Sequence, residues 1–302
     1  MNIVGLNREK GIFEKILEKN QFAHTYIFTG AEGIGKRLFA IDFAKGALCA
    51  DKKYFADCNC QECILNSNLA HPDVFILNNS FQDGKSEKNS IGIDEIKTVI
   101  EDAYLTPYRG KFKFFVINDA HALTLEASNA FLKTLEEPPE NTIFILVTHL
   151  LEKILPTIKS RSIIFEFLRL SSDEVVSVLK KIYPEEDPEK LTDAAKYASG
   201  SVKTAIEFLK FKKLNLNIDV NENLSSVIDY LFRSKEKDDL ELIASRLYEN
   251  LLFNYRKTYD IRYIDFSNYL LNVLNMLNRN LNINVAKTDI IIKLYGVFGE
   301  KN

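Results

Sequence analysis

The sequence predicts an α/β fold: a parallel sheet covered by helices, then a small helical domain, then a C-terminal helical domain. Three observations carry this reading. Up to about residue 167, short apolar runs alternate with stretches of helical period, as parallel strands joined by crossover helices require. The first of these runs leads straight into Gly30-Ala31-Glu32-Gly33-Ile34-Gly35-Lys36-Arg37, and a helical pattern opens at Lys36. Strand, glycine loop and helix is the order of a phosphate-binding loop. Beyond residue 167 the strand signals stop and the text is helical.

The elements follow in order. Thr25-Tyr26-Ile27-Phe28-Thr29 reads as a buried strand. Residues 36–48 carry Leu38, Phe39, Ile41, Phe43, Ala44 and Leu48 at helical spacing. Residues 73–77 read as a second strand. The polar, glycine-containing stretch 78–89 reads as a mobile loop. A helix is expected over 94–103. Phe114-Phe115-Val116-Ile117 suits a central parallel strand. A helix over 123–137 ends at Pro138-Pro139, which cannot continue it. Residues 142–148 and 163–167 read as the last two strands. Ser171 or Ser172 can cap a helix running to Ile182. Further helices are expected over 188–198, 202–212, 223–257, 264–279 and 285–299. The expected domains are 1–167, 168–212 and 213–302, with a cysteine-bearing insertion at 49–63.

Composition narrows the class. Of 302 residues, 46% are hydrophobic, enough for real cores, and the net charge of −3 argues against a stand-alone nucleic-acid binder. The N-terminal residues lack the charged-then-apolar pattern of a secretory signal. The longest apolar run, around 143–151, is too short to span a bilayer. A cytoplasmic protein without membrane contact is expected.

Gly30, Gly33, Gly35 and Lys36 supply the parts of a phosphate cradle: backbone N–H groups, the positive end of a helix and a cation. The loop pattern G-x-x-x-x-G-K-[ST] ends in a hydroxyl that ligates Mg²⁺, but here Arg37 stands in that place and offers a metal no lone pair. A second metal-holding position is also altered. The apolar strand 114–117 ends in Asn118-Asp119, where an acidic pair would hold Mg²⁺ and position water. Asn118 is a weaker ligand, and Asp119 is one methylene shorter than Glu. Two such losses predict no ATP hydrolysis by this chain alone. Binding of ATP or ADP is left open.

All four cysteines, Cys49, Cys58, Cys60 and Cys63, fall within fifteen residues. Four thiolates suit a closed tetrahedral Zn²⁺ site with a structural role. Free thiols would scatter along the chain, and a disulfide does not suit a reducing cytoplasm. A zinc deaminase lacks its H-x-E before the cysteine pair. His71 is read as a structural residue beside Pro72.

The run Ser128-Asn129-Ala130-Phe131-Leu132-Lys133-Thr134-Leu135-Glu136-Glu137-Pro138-Pro139 closely resembles the N-A-L-L-K-T-L-E-E-P-P run of bacterial clamp-loader subunits, AAA+ proteins of the DNA polymerase III holoenzyme. Ser160-Arg161-Ser162 resembles their Ser-Arg-Cys motif, with Ser162 in place of Cys. The four-cysteine insertion after the first helix fits as well. The resemblance covers most of residues 1–212. The stretch Leu281-Asn282-Ile283-Asn284 and the helix after it resemble the end of the family's third domain more weakly.

That resemblance implies an AAA+ domain, a helical lid and a helical collar that assembles a five-subunit ring. The ring opens a sliding clamp and closes it on primed DNA under ATP control. The damaged loop implies a non-hydrolysing subunit working beside gamma/tau and delta subunits. Arg161, otherwise a surface arginine in an ion pair, would then be an arginine finger given in trans to a neighbour's ATP. Thr148 matches the polar residue that senses the γ-phosphate in active members. Lys203 takes the place of a lid arginine and cannot make its planar bidentate contact. The whole assembly is a DNA-directed DNA polymerase, a nucleotidyltransferase; no polymerase activity is expected of this chain alone. Two other readings compete: an active gamma-type ATPase, and a zinc-stabilised interaction protein outside replication.

Overall fold

The computed structural model describes residues 3–78, 90–213, 220–221, 224–234, 237–277 and 282–299, with the backbone alone at 210–213, 237–238 and 242. Most of the expected loop 78–89, and Leu281, lie outside these residues. The chain divides into two compact units, Met1–Leu209 and Lys210–Asn302.

The first unit begins with α1 (Asn7–Lys19), followed by β1 (Thr25–Thr29), α2 (Lys36–Leu48) and α3 (Gln61–Ser67). Then come β2 (Val74–Leu77), α4 (Ile93–Ala103), β3 (Lys113–Ile117), α5 (Leu125–Glu136), β4 (Thr142–Val147), α6 (Pro156–Lys159) and β5 (Ile163–Glu166). The strands form one sheet in the order β2-β3-β4-β1-β5, every pairing parallel. The three central strands are buried at every position, as a sheet covered on both faces requires. Their side chains split by period two. Tyr26, Phe28, Phe114, Val116, Ile143 and Ile145 enter one core. Ile27, Phe115, Ile117, Phe144 and Leu146 enter the other.

Helix α1 has no conventional sequence signal, since its N-cap is Leu6 in the left-handed conformation with no side-chain cap. Its Phe13 nonetheless sits at the centre of the first core, ring against ring with Tyr26, Phe28, Phe39, Phe43 and Phe165. Helix α5 starts two residues later than its periodicity suggests, because Thr124 is the cap and accepts from Ala127 N at 3.2 Å.

The unit closes with α7 (Ser172–Ile182), α8 (Pro188–Tyr197) and the first part of α9 (Val202–Lys213). Ser171 is the cap of α7 and forms a reciprocal pair with Glu174. Val175, Leu179, Leu191, Ala194, Ala195, Ala205 and Leu209 join the same core as α1 and α2. The start of α9 is thereby brought to the glycine loop.

The second unit contains α10 (Leu224–Arg233), α11 (Lys237–Thr258), α12 (Ile261–Leu277) and α13 (Ile283–Phe298) around one core that includes Leu231, Leu247, Leu270, Val273 and Leu294. The single helix expected over 223–257 is interrupted after Arg233, where the Ser234 hydroxyl donates to Leu231 O at 2.7 Å. Asn282 caps α13 by accepting from Asn284 N at 2.9 Å. Among the described residues, no helix is long and apolar enough to cross a membrane.

Candidate nucleotide site and cysteine cluster

The glycine loop joins the carboxyl end of β1 to α2, the place where open parallel sheets bind ligands. Gly35 precedes α2 at φ 95°, in the left-handed region. Lys36 is only 6% exposed and donates from Nζ to Gly30 O at 2.8 Å and to Ala31 O at 2.5 Å. The cation thus bonds to its own loop. Burial pulls its pKa down to about 8, against the opposing charges of Glu32 and Asp119. Arg37 follows with its Nε buried and without an acceptor among the described residues.

The first turn of α9 closes over this loop. Gly33 O accepts from Val202 N at 2.9 Å, and a Cβ on Gly33 would come within 2.5 Å of both Lys203 Cβ and Ser201 Oγ. Only glycine fits that approach. Lys203 Nζ pairs with Glu32 Oε1 at 2.7 Å. The Lys203 hydrogen bond holds the Glu32 carboxyl below its ordinary range. A cavity of about 260 Å³ remains beside the loop, edged by Glu32, Arg169, Ser201, Lys203 and Glu207.

At the ends of β3 and β4, Asn118 Nδ2 donates to Asp119 Oδ2 at 2.9 Å. Thr148, buried just past β4, accepts from Leu150 N at 3.0 Å and lies 3.3 Å from His121 Nδ1. Asn118, Asp119 and Thr148 are therefore brought together, with two histidines the sequence reading passed over: His121 and His149, whose rings stack edge to face at 4.4 Å. Their signal was present, since two of the chain's four histidines follow the ends of neighbouring strands.

The cysteines converge at the end of α2. Cys49 Sγ lies 3.6 Å from Cys58 Sγ and 4.0 Å from Cys60 Sγ, and all four sulfurs lie within 4.8 Å of one another. A tetrahedral site with Zn–S near 2.3 Å needs sulfur separations of about 3.8 Å. The donor set fits zinc, and all four thiols are free of disulfides. Burial pushes Cys60 up, but N–H groups of Cys63 and Ala50 outweigh it and bring its pKa to about 6. Bound zinc would tie the end of α2 to the start of α3 and supply no chemistry. His71 takes no part: its Nδ1 accepts from Asp73 N at 3.0 Å, so its Nε2 donates to Glu62 at 2.8 Å. Glu62 also pairs with Arg109, fixing the insertion to the loop before β3.

Arg161 lies between α6 and β5, far from the glycine loop in sequence and turned outward. Its Nη2 pairs with Glu136 Oε1 at 2.7 Å, and its Nη1 donates to Thr157 O at 3.0 Å. Beside it the edge strand exposes Ile163 and Ile164.

Comparison with known proteins decides the family. The family model described as DNA polymerase III, delta subunit matches residues 6–171, more than half of the chain. The chain belongs to this family. It is a clamp-loader-family subunit of DNA polymerase III with a P-loop fold. The tau subunit of Bacillus subtilis DNA polymerase III is 33% identical over 213 residues, 69% of this chain and 36% of that protein. The delta' subunit of Pseudomonas aeruginosa is 29% identical over 198 residues, 65% of this chain and 59% of that one. The chain thus spans about a third of the first of these relatives. A gamma subunit-related protein of Thermotoga maritima superposes with a TM-score of 0.54, covering 95% of this chain and 98% of its own at 20% identity, which is a likeness of fold.

Proposed function

We propose that this clamp-loader subunit is the delta-prime type: a non-hydrolysing member of a five-subunit ring that loads the sliding clamp onto primed DNA in the cytoplasm. Residues 168–212 serve as its lid and 213–302 as its collar. Gamma/tau and delta subunits are its neighbours, and Cys49, Cys58, Cys60 and Cys63 hold a structural zinc.

The observation that carries this reading is the state of the phosphate loop. Lys36 donates to Gly30 O and Ala31 O of its own loop, and Lys203 pairs with Glu32. Arg37 and Asn118 supply no charge-bearing metal ligand. Meanwhile Arg161 is presented at the sheet edge beside exposed apolar residues, as a group donated to a neighbour must be.

The test is clamp loading by the ring reconstituted with gamma-type and delta subunits. Arg161→Ala should assemble normally and load poorly; loading at the wild-type rate overturns the finger. A gamma-type ATPase is the second reading, favoured by the higher identity to a tau subunit than to a delta' subunit. ATP turnover by the purified chain alone at the rate of an active ATPase would select it.

A further inference from the structure

Three metal-ligating side chains that the proposed function does not use converge at the carboxyl edge of the sheet. Asp119 and His121 follow β3, and His149 follows β4, its hydrogen-bonded neighbour. Asp119 turns the chain with a left-handed backbone at φ 51°, into the 3-10 turn Ala120–Ala122 that carries His121. One ligand atom from each of Asp119, His121 and His149 lies within 4.8 Å of the other two. All three are half-buried, so the cluster is anchored yet reachable from solvent.

Two outer hydrogen bonds orient these donors. Asn118 holds the Asp119 carboxylate, and Thr148 holds one nitrogen of the His121 ring. Carboxylates and histidines that bind metals are fixed in this way by a second layer of partners. Thr148 N donates to Phe28 O at 2.9 Å, in the strand that runs into the phosphate loop, so the cluster adjoins that loop.

We propose that Asp119, His121 and His149 bind a divalent first-row transition cation, zinc or one of its near neighbours, at a site separate from the four cysteines. Two imidazoles and one carboxylate suit such a cation, whereas Mg²⁺ requires oxygen ligands. Three protein ligands leave a coordination position open, unlike a closed four-cysteine site. That position would take water or a phosphate oxygen.

The test is titration of the full chain with Zn²⁺ by calorimetry and with Co²⁺ by absorption. Sulfur-to-cobalt absorption marks the cysteine site, and nitrogen- and oxygen-bound cobalt lacks it. The wild type should bind one cation beyond the cysteine site, undisplaced by excess Mg²⁺. Asp119→Asn and His149→Ala should lose that cation and keep the cysteine-bound one, with thermal unfolding confirming that each variant is folded. Thr148→Val should weaken it by roughly tenfold or more. A wild type that takes up only the cysteine-site cation overturns the proposal. So do folded Asp119→Asn and His149→Ala proteins that keep the additional cation at unchanged affinity.

Discussion

Glu32 Oε1 and Lys203 Nζ lie 2.7 Å apart and join the phosphate loop to the first turn of α9. The two residues are 171 positions apart in the chain. Both side chains are more than half exposed, so the pair contributes little to stability. On the proposed reading of the loop, its effect would fall on ligand binding. Glu32 puts a negative charge where phosphate oxygens would gather and occupies the cation that would meet them. Glu32→Gln should therefore tighten ADP binding by about fivefold, equivalent to roughly 1 kcal/mol. Titration calorimetry compares the two proteins, and unchanged or weaker binding by the variant counts against the pair as a barrier.

Lys36 makes stability depend on pH, and on the proposed reading of the loop it does the same for anion binding. Its pKa in the folded chain is about 8, lowered chiefly by burial. Above pH 8 the folded protein releases this proton, so phosphate affinity should fall by up to tenfold per pH unit. The unfolded chain keeps the proton to about pH 10.5. Between these values the unfolded state binds more protons, and stability rises with pH. From pH 7.5 to 9.5 the gain should be about 2 kcal/mol. Urea unfolding of wild type and Lys36→Met at both values isolates it; the same pH response in both proteins would remove Lys36 as its source.

Much of the sheet could be read from the sequence because β1, β3 and β4 are continuous apolar runs bounded by polar residues, and burial on both faces demands that pattern. The partners in two long-range ion pairs had no such signal. Nothing local to Lys203 indicates Glu32, and nothing local to Arg161 indicates Glu136, since tertiary packing alone brings them together. Helix α1 escaped because Leu6 replaces a polar cap and Gly11 interrupts its interior. Helix α3 was hidden inside the cysteine insertion, where the spacing drew attention to sulfur rather than to Ile64 and Leu65.

The hidden helix α1 is also where the first core is most easily broken. Phe13 is fully buried and meets five aromatic rings. Phe13→Ala removes its contacts and leaves a cavity between α1, α2 and the sheet. The expected loss is about 3–5 kcal/mol in urea unfolding of the first unit. A loss under about 1 kcal/mol would mean that α1 is not integral to that core.

Zinc should add to the stability of the same unit. A ligand that binds only the folded state at a thousandfold excess over Kd contributes about 4 kcal/mol. Metal analysis should find zinc in the wild type at the cysteine site, and chelation or Cys63→Ser should remove it and lower the unfolding temperature. Cys63 is the most sensitive choice because its side chain is fully buried. If the protein is folded, zinc-free and unaffected by chelator, the four thiols are packing groups only.

Arg161 and Glu136 provide the sharpest distinction between charge and geometry. Their pair is partly exposed, so Glu136→Gln should change stability by less than about 1 kcal/mol. The bond does fix the guanidinium: Nη2 is held by Glu136 while Nη1 is held by Thr157 O. Arg161→Lys keeps the charge and a possible contact to Glu136 but loses the planar fork. An arginine finger is worth about 10³–10⁵ in the rate it supports, and that value comes from placing donors on transferring phosphate. Arg161→Lys in the reconstituted ring should thus lower ATP hydrolysis at the adjacent site nearly as far as Arg161→Ala. Glu136→Gln should lower it less, because Thr157 O still orients one arm. If Arg161→Lys retains the wild-type rate, a positive charge at the interface suffices and the fork has no part in hydrolysis.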